Sequence, residues 1–267
     1  MAARTTTSMQ QQWLTNLPIH GVLDTQPLLK GVANDVYKII TTEQSYVLKH
    51  FRYDHPYGLN RDQEVALQQQ LAEQQLAPAV LYYDTIQGLL LQPFISGDDL
   101  AHSTLAMSTK IQRLAEVSAR IHRVQVDVPV WSLRSRLQIY CDALARYDEE
   151  RARQFRKRIG QQRKLIDCFG MNPVFCHNDL AFHHVFTRPQ LQVIDWEYAG
   201  MGERYFDLAN SMLANDFDNT QQRAFIHSYE GVAGIHIHSQ QLADWLQLAE
   251  TVSQLWYELH HNLQGHT

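Results

Sequence analysis

Two aspartates, Asp179 and Asp195, stand within one stretch, Phe175–Gly200, reading FCHNDLAFHHVFTRPQLQVIDWEYAG. Val174–Cys176 reads as a short apolar strand, and Phe186–Val193 reads as a tight hairpin turning at Pro189-Gln190. With Arg188 opposite Leu191, the register sets residue 184 opposite Asp195, and a slip of one residue breaks that pairing. Two carboxylates placed this way suit a site that holds a metal and a phosphate. Phosphoryl transfer needs little covalent chemistry from a protein; it needs positioning and neutralised charge. One carboxylate can accept the proton of an incoming hydroxyl. The other can hold magnesium, which takes hard oxygen ligands.

The elements upstream have to supply the rest of such a site. Leu28–Arg52 reads as strands, with Thr42–Gln44 as a turn and Gly21–Gln26 as a turn-rich connection before them. In Lys30–Asp35, Gly31, Asn34 and Asp35 tolerate left-handed geometry. They form either a loop whose backbone N–H groups face a phosphate or a plain hairpin turn. Lys49 ends the apolar run Tyr46-Val47-Leu48, and Tyr57–Leu76 reads as a helix carrying Glu64. Alone, Lys49 is an ordinary solvated strand lysine; paired with Glu64 it is an ammonium held for phosphates. Ala79–Tyr83 and Gly88–Pro93 add two strands, and Leu91–Gly97 reads as a connector.

Beyond it the periodicity turns helical, in Ser108–Val124, Leu133–Arg146, Glu149–Cys168, Arg204–Asn215, Thr220–Gly231 and Ser239–Leu263. His122 is expected to be a hydrogen-bonded core residue. The expected class is α+β, with a small β-rich lobe over 1–94 and a larger helical lobe over 95–267.

The bulk numbers exclude several classes. Of 267 residues 45% are hydrophobic and 19% charged, which fits a folded core, and the net charge of −5 argues against a nucleic-acid surface. Cys141, Cys168 and Cys176 show no C-x-x-C spacing, which points away from a thiolate zinc site and toward a reducing compartment. The first residues lack an apolar signal core, and no apolar run is long enough to span a bilayer. A cytoplasmic protein is expected; the sequence leaves its oligomeric state open. The fourteen histidines include no H-E-x-x-H, and His236-x-His238 has no acidic partner motif, so a metal hydrolase is disfavoured.

His177-Asn178-Asp179-Leu180 followed by Ile194-Asp195-Trp196-Glu197-Tyr198 resembles the aminoglycoside phosphotransferase and choline kinase superfamily. Tyr205-Phe206-Asp207-Leu208-Ala209-Asn210 looks like the choline kinase version, and Asp195–Gly200 is also similar to bacterial thiamine kinases. The resemblance implies a protein-kinase-like two-lobed fold and ATP with magnesium. It implies Asp179 as catalytic base, Asp195 as metal ligand, and Lys49, held by Glu64, on the nucleotide phosphates. The Gly31–Asn34 loop would cover those phosphates, and backbone groups at Gln92, Phe94 and Ile95 would receive adenine. His177 would brace the loop, Asp207 would hold its backbone, and Glu197 would serve as a second metal ligand, an anchor or a substrate contact.

One position departs from the family. Where its loop carries Asn, this chain has His184. Imidazole is a poorer magnesium ligand than an amide oxygen. Three readings stay open: a tolerated substitute, a site favouring manganese, or a protein that binds nucleotide or a small molecule without turnover. The acceptor pocket is expected in the helical lobe. Trp196, Tyr198, Tyr205, Trp245, Trp256 and Tyr257 are candidate linings, with Trp256 foremost, unless these rings are simply core. Aromatic faces beside acids attract quaternary or thiazolium cations, so a choline- or thiamine-like alcohol ranks above an aminoglycoside.

Overall fold

The computed structural model describes residues 13–30, 33–52 and 54–265. Gly31, expected in the phosphate loop, lies outside the described residues. Trp13–Asn16 is helical.

Five antiparallel strands form the sheet: β1 (Val22–Lys30), β2 (Asn34–Thr41), β3 (Ser45–Phe51), β4 (Tyr82–Asp84) and β5 (Leu89–Pro93), in the order β1-β2-β3-β5-β4. β1 starts six residues earlier than the pattern predicts, at Val22 rather than Leu28. It is an edge strand with Leu23 exposed, two register shifts and Pro27 within it. An edge strand need not alternate apolar and polar residues, and it tolerates proline. The central strands bury Ile39, Leu48, Leu89 and Leu91 under Trp13, Leu17 and Ile19.

The helix predicted from Tyr57 begins at Arg61 and ends at Glu73. Gly58, at φ 62°, breaks the chain after the Asp54–Tyr57 turn, and the Asn60 side chain then caps the helix by accepting the Gln63 N–H at 3.0 Å. Glu149–Cys168 is likewise two helices, Glu149–Gln161 and Arg163–Cys168, separated at Gln162.

The connector after β5 is tied to the stretch that carries Asp179 and Asp195, because the Leu100 N–H reaches the Val185 carbonyl at 2.9 Å. The helical part packs two cores. Met107–Ile121 meets Asn219–Ala233 in one; in the other, Leu133–Ala145, Arg204–Ala214 and the long Ser239–Gly265 helix enclose Phe155, Phe206, Trp245 and Leu248. Side chains of this size each contribute about 1.5–3 kcal/mol when buried, which makes this half a stiff mount. No helix among the described residues is long and apolar enough to cross a membrane.

Candidate active site

The stretch that carries Asp179 and Asp195 is clamped at both ends by one strand pair. β6 (Val174–Cys176) runs antiparallel to β9 (Gly200–Gly202), so the segment leaving β6 and the segment entering β9 start side by side. Between them, a 3-10 turn at Phe182–His184 leads into β7 (Val185–Phe186) and β8 (Gln192–Val193). The hairpin register differs from expectation by one. Val185 pairs with Val193 and Phe186 with Gln192, so the loop is five residues, 187–191, rather than two at Pro189-Gln190. His184 accordingly stands opposite Ile194, whose N–H reaches its carbonyl at 3.0 Å. Its ring still reaches the next residue: Nε2 lies 3.7 Å from Asp195 Oδ2.

Asn178 and Asp195 both adopt left-handed backbone, at φ 64° and 70°. Asn and Asp accept this conformation more readily than other non-glycine residues. Cross-links hold these turns. Asn178 Nδ2 donates to the Tyr198 carbonyl at 2.9 Å, and His177 Nε2–H donates to the Ile194 carbonyl at 3.1 Å. Asp207 accepts the Asn178 N–H at 2.5 Å with one oxygen and meets His122 Nε2 at 2.8 Å with the other, while His122 Nδ1 meets the Tyr229 hydroxyl at 2.7 Å. Asn215, which the motif reading missed, accepts the Phe182 N–H at 2.8 Å.

Asp179, Asp195, Lys49, His184 and Glu197 line one cavity of about 890 Å³. Burial, reinforced by the charges of Asp195, Glu197 and Asp207, pushes the Asp179 carboxyl well above the ordinary carboxylate range. Among the described residues, nothing donates a hydrogen bond to that carboxyl group. Burial would raise Asp195 as well, but Lys49 outweighs it and holds the acid well below its usual range. Burial lowers the Lys49 ammonium; the carboxylates of Asp195 and Glu64 more than offset this, so its pKa ends above the usual lysine value.

The Lys49–Glu64 pairing is looser than expected. Lys49 Nζ lies 2.8 Å from Asp195 Oδ1 but 3.9 Å from Glu64. Glu64 is held by Arg61 at 2.6 Å, and Arg61 also binds Glu197 at 2.9 Å. Arg61 went unread because it opens a glutamine-rich helix. Glu197 is therefore held by Arg61 and by the Asn34 amide at 3.3 Å. Burial, with Asp195 and Glu64 nearby, pushes Glu197 up to about 7 against the pull of Arg61. Asn34 opens β2 and lines the same cavity, its side-chain amide turned to Glu197.

At the connector, the Phe94 N–H is already given to the Ser45 carbonyl at 3.0 Å, so this amide is not the free donor expected for adenine. Strand pairing alternates, so the Pro93–Tyr46 pair is non-hydrogen-bonded and the Pro93 carbonyl points away from β3. That carbonyl and the Ile95 backbone are the groups this edge leaves for a base. Gln92 is buried, its side-chain oxygen accepting from Gln68 at 2.8 Å.

The acceptor side differs from expectation in membership. Trp196 is 1% exposed, stacks on Phe175 and donates to the Val193 carbonyl; it is core, as Trp245 is. Both rings sit on the inward face of their segments, where volume rather than recognition is filled. Tyr205 points elsewhere, its hydroxyl accepting the His238 N–H at 3.2 Å. Tyr198, Trp256 and Tyr257 do line the cavity, joined by Trp131 and Tyr140. Trp256 donates to the Tyr198 hydroxyl at 3.0 Å and stacks on Tyr57. Arg136, also unread, lies over the rings of Trp131 and Tyr198 at 5.1 Å and 5.4 Å and donates to the Tyr57 carbonyl at 2.7 Å.

This geometry can be set beside known proteins. The phosphotransferase enzyme family matches residues 24–250, most of the chain. The chain belongs to this family. Among solved structures it is similar to choline kinase LicA from Streptococcus pneumoniae, at 21% identity and TM-score 0.76, covering 96% of this chain and 90% of that one. LicA in complex with AMP gives TM-score 0.70 at 20% identity over 95% and 89%, and aminoglycoside-3'-phosphotransferase of type VIII gives 0.67 at 17% over 90% and 97%. These likenesses establish the kinase-like fold: a small antiparallel sheet with a helical C-terminal part. A curated relative, the Protein LicA homolog of Mycoplasma capricolum, is 33% identical over 54 residues, 20% of this chain. The match spans less than a quarter, 23%, of that relative's length.

Proposed function

We propose that this member of the phosphotransferase family moves the γ-phosphate of ATP to the hydroxyl of a small alcohol of choline or thiamine type. The observation that carries the reading is Asp179, a carboxyl without a hydrogen-bond donor, in the same cavity as the Lys49–Asp195 pair. In this reading, residues 1–94 form the nucleotide lobe, and 95–267 bring the catalytic loop and the acceptor pocket. A cytoplasmic location goes with the use of ATP.

The division of labour follows from charge. Asp179 orients the acceptor hydroxyl and takes its proton, helped by a raised affinity for that proton. Lys49 contacts the phosphates, exchanging part of its contact with Asp195 for them. Pro93 and Ile95 offer backbone groups to adenine. Asp195 Oδ2 and His184 Nε2, two acceptors facing each other, fit a divalent cation and would hold it; when bound, it neutralises charge on the transferring phosphate. Glu197, tied to Arg61, keeps the Asp195 turn in place.

A second reading of the acceptor rests on Arg136. Its guanidinium covers two of the aromatic faces that a quaternary cation would use. An alcohol carrying an anionic group would pair with Arg136 instead. Incubation with ATP, in magnesium and in manganese, against choline, thiamine, an aminoglycoside and hydroxy acids separates these acceptors. Product with none of them, in either metal, sinks the transfer reading and leaves a binding protein on this fold.

A further inference from the structure

We propose that His184 is a nitrogen ligand of the divalent-cation site, and that it turns the site from magnesium toward manganese and the later first-row divalent ions. The inference rests on the phosphotransferase reading only in placing the cation beside Asp195.

The tautomer of His184 is fixed by its surroundings. Nδ1 lies 2.8 Å from the Asp179 carbonyl oxygen, which can only accept, so Nδ1 carries the proton. The Ala181 N–H lies 3.4 Å from the same nitrogen, too far to reverse that assignment. Nε2 therefore bears a lone pair, and it faces Asp195 Oδ2 at 3.7 Å. The other Asp195 oxygen is taken by Lys49 at 2.8 Å. Two acceptors confront each other across a gap that suits a cation.

The ring is also held. It stacks on His177 at 5.5 Å with an 18° interplanar angle and meets His183 edge-on at 4.1 Å. A ring whose second nitrogen donates to a backbone carbonyl is the usual arrangement of a metal-ligating histidine. An imidazole nitrogen favours first-row transition ions, whereas magnesium prefers an all-oxygen shell and keeps its waters. Manganese accepts both donor types, so a mixed nitrogen–oxygen site selects it over magnesium.

The test uses the full chain with Mn2+ and pyrophosphate, a phosphate source that contains no nitrogen. Pulsed EPR reads the nitrogen hyperfine coupling of a directly bound imidazole. The coupling is expected in the native chain and in His183→Asn, and it is expected to vanish in His184→Asn, which retains an oxygen donor. Magnesium competition against bound Mn2+ should show the manganese preference falling roughly tenfold or more in His184→Asn. Bound Mn2+ without coupling in the native chain overturns the proposal, and that measurement needs no variant to fold. Coupling that survives in His184→Asn, or an unchanged preference, overturns it too. Nitrogen coupling without any phosphorylated product supports the ligand assignment while the transfer reading fails.

Discussion

His122 meets Asp207 at 2.8 Å, and His184 meets Asp195 at 3.7 Å. Both pairs are built in the same half of the molecule, from a buried ring and an aspartate, and they serve opposite ends. In the first pair every donor and acceptor atom is engaged: both ring nitrogens of His122 have partners, and both Asp207 oxygens are occupied. Cys176 lies close enough to complete a metal-like cluster with them, but the hydrogen bonds already use the nitrogens and oxygens. In the second pair one ring nitrogen is committed to the backbone, and the other faces a carboxylate across a gap. A closed pair stabilises a loop; an open pair leaves capacity for something that arrives later.

The comparison breaks most visibly in activity. Asp179→Asn should lower transfer by roughly 10²–10⁴-fold, the range of general-base catalysis, while nucleotide binding measured by calorimetry stays close to native. A comparable loss of binding would move Asp179 from the chemistry to the phosphates. Asp207→Ala should act the other way. It strips the Asn178 N–H and His122 of their partner, so denaturant unfolding should report a loss of about 3 kcal/mol. Stability within about 0.5 kcal/mol of native would mean that the closed pair does not brace the loop.

A pH series sharpens the contrast from the neighbouring acid. Folded Glu197, pushed up to about 7, stands above its unfolded value of about 4.3. Between those values the folded chain keeps a proton that the unfolded chain has released. The Glu197 contribution to stability is therefore full below this window and is lost as pH rises through it. Unfolding of the ligand-free chain from about pH 5 to about pH 8 should lose that slope in Glu197→Gln. An identical slope in the variant would assign it to other groups. The smallest effect belongs to the rim of the closed pair. Tyr229→Phe removes one hydrogen bond to His122 and should cost about 1 kcal/mol, with transfer kinetics unchanged.

Some of this was legible in the chain and some was not. The order and spacing of Asp179, Asp195 and Asp207 carry the family and hence the fold, because a loop held between two paired strands needs fixed chain lengths. The Lys49 strand was readable from its apolar run. The hairpin register was not, since a loop of two residues and one of five differ only in the tertiary contacts that select them. Trp196 illustrates the same limit: an aromatic residue next to Asp195 in the sequence reads the same whether it fills the core or lines the cavity. Arg61 and Arg136 were missed because an arginine on a helix is usually a solvated residue, and only packing shows it turned inward.

The sequence by itself determined the chemistry on offer: two carboxylates, a lysine and a histidine where the family has Asn, at spacings that allow few arrangements. Only the tertiary structure decided how those groups are used. It gave Lys49 to Asp195 before Glu64, and Arg61 to both Glu64 and Glu197. It also turned one nitrogen of His184 to the Asp179 carbonyl and the other to Asp195. The physical reason is that charges and lone pairs act through distance and burial. Spacing along a chain limits these quantities, and packing sets their values.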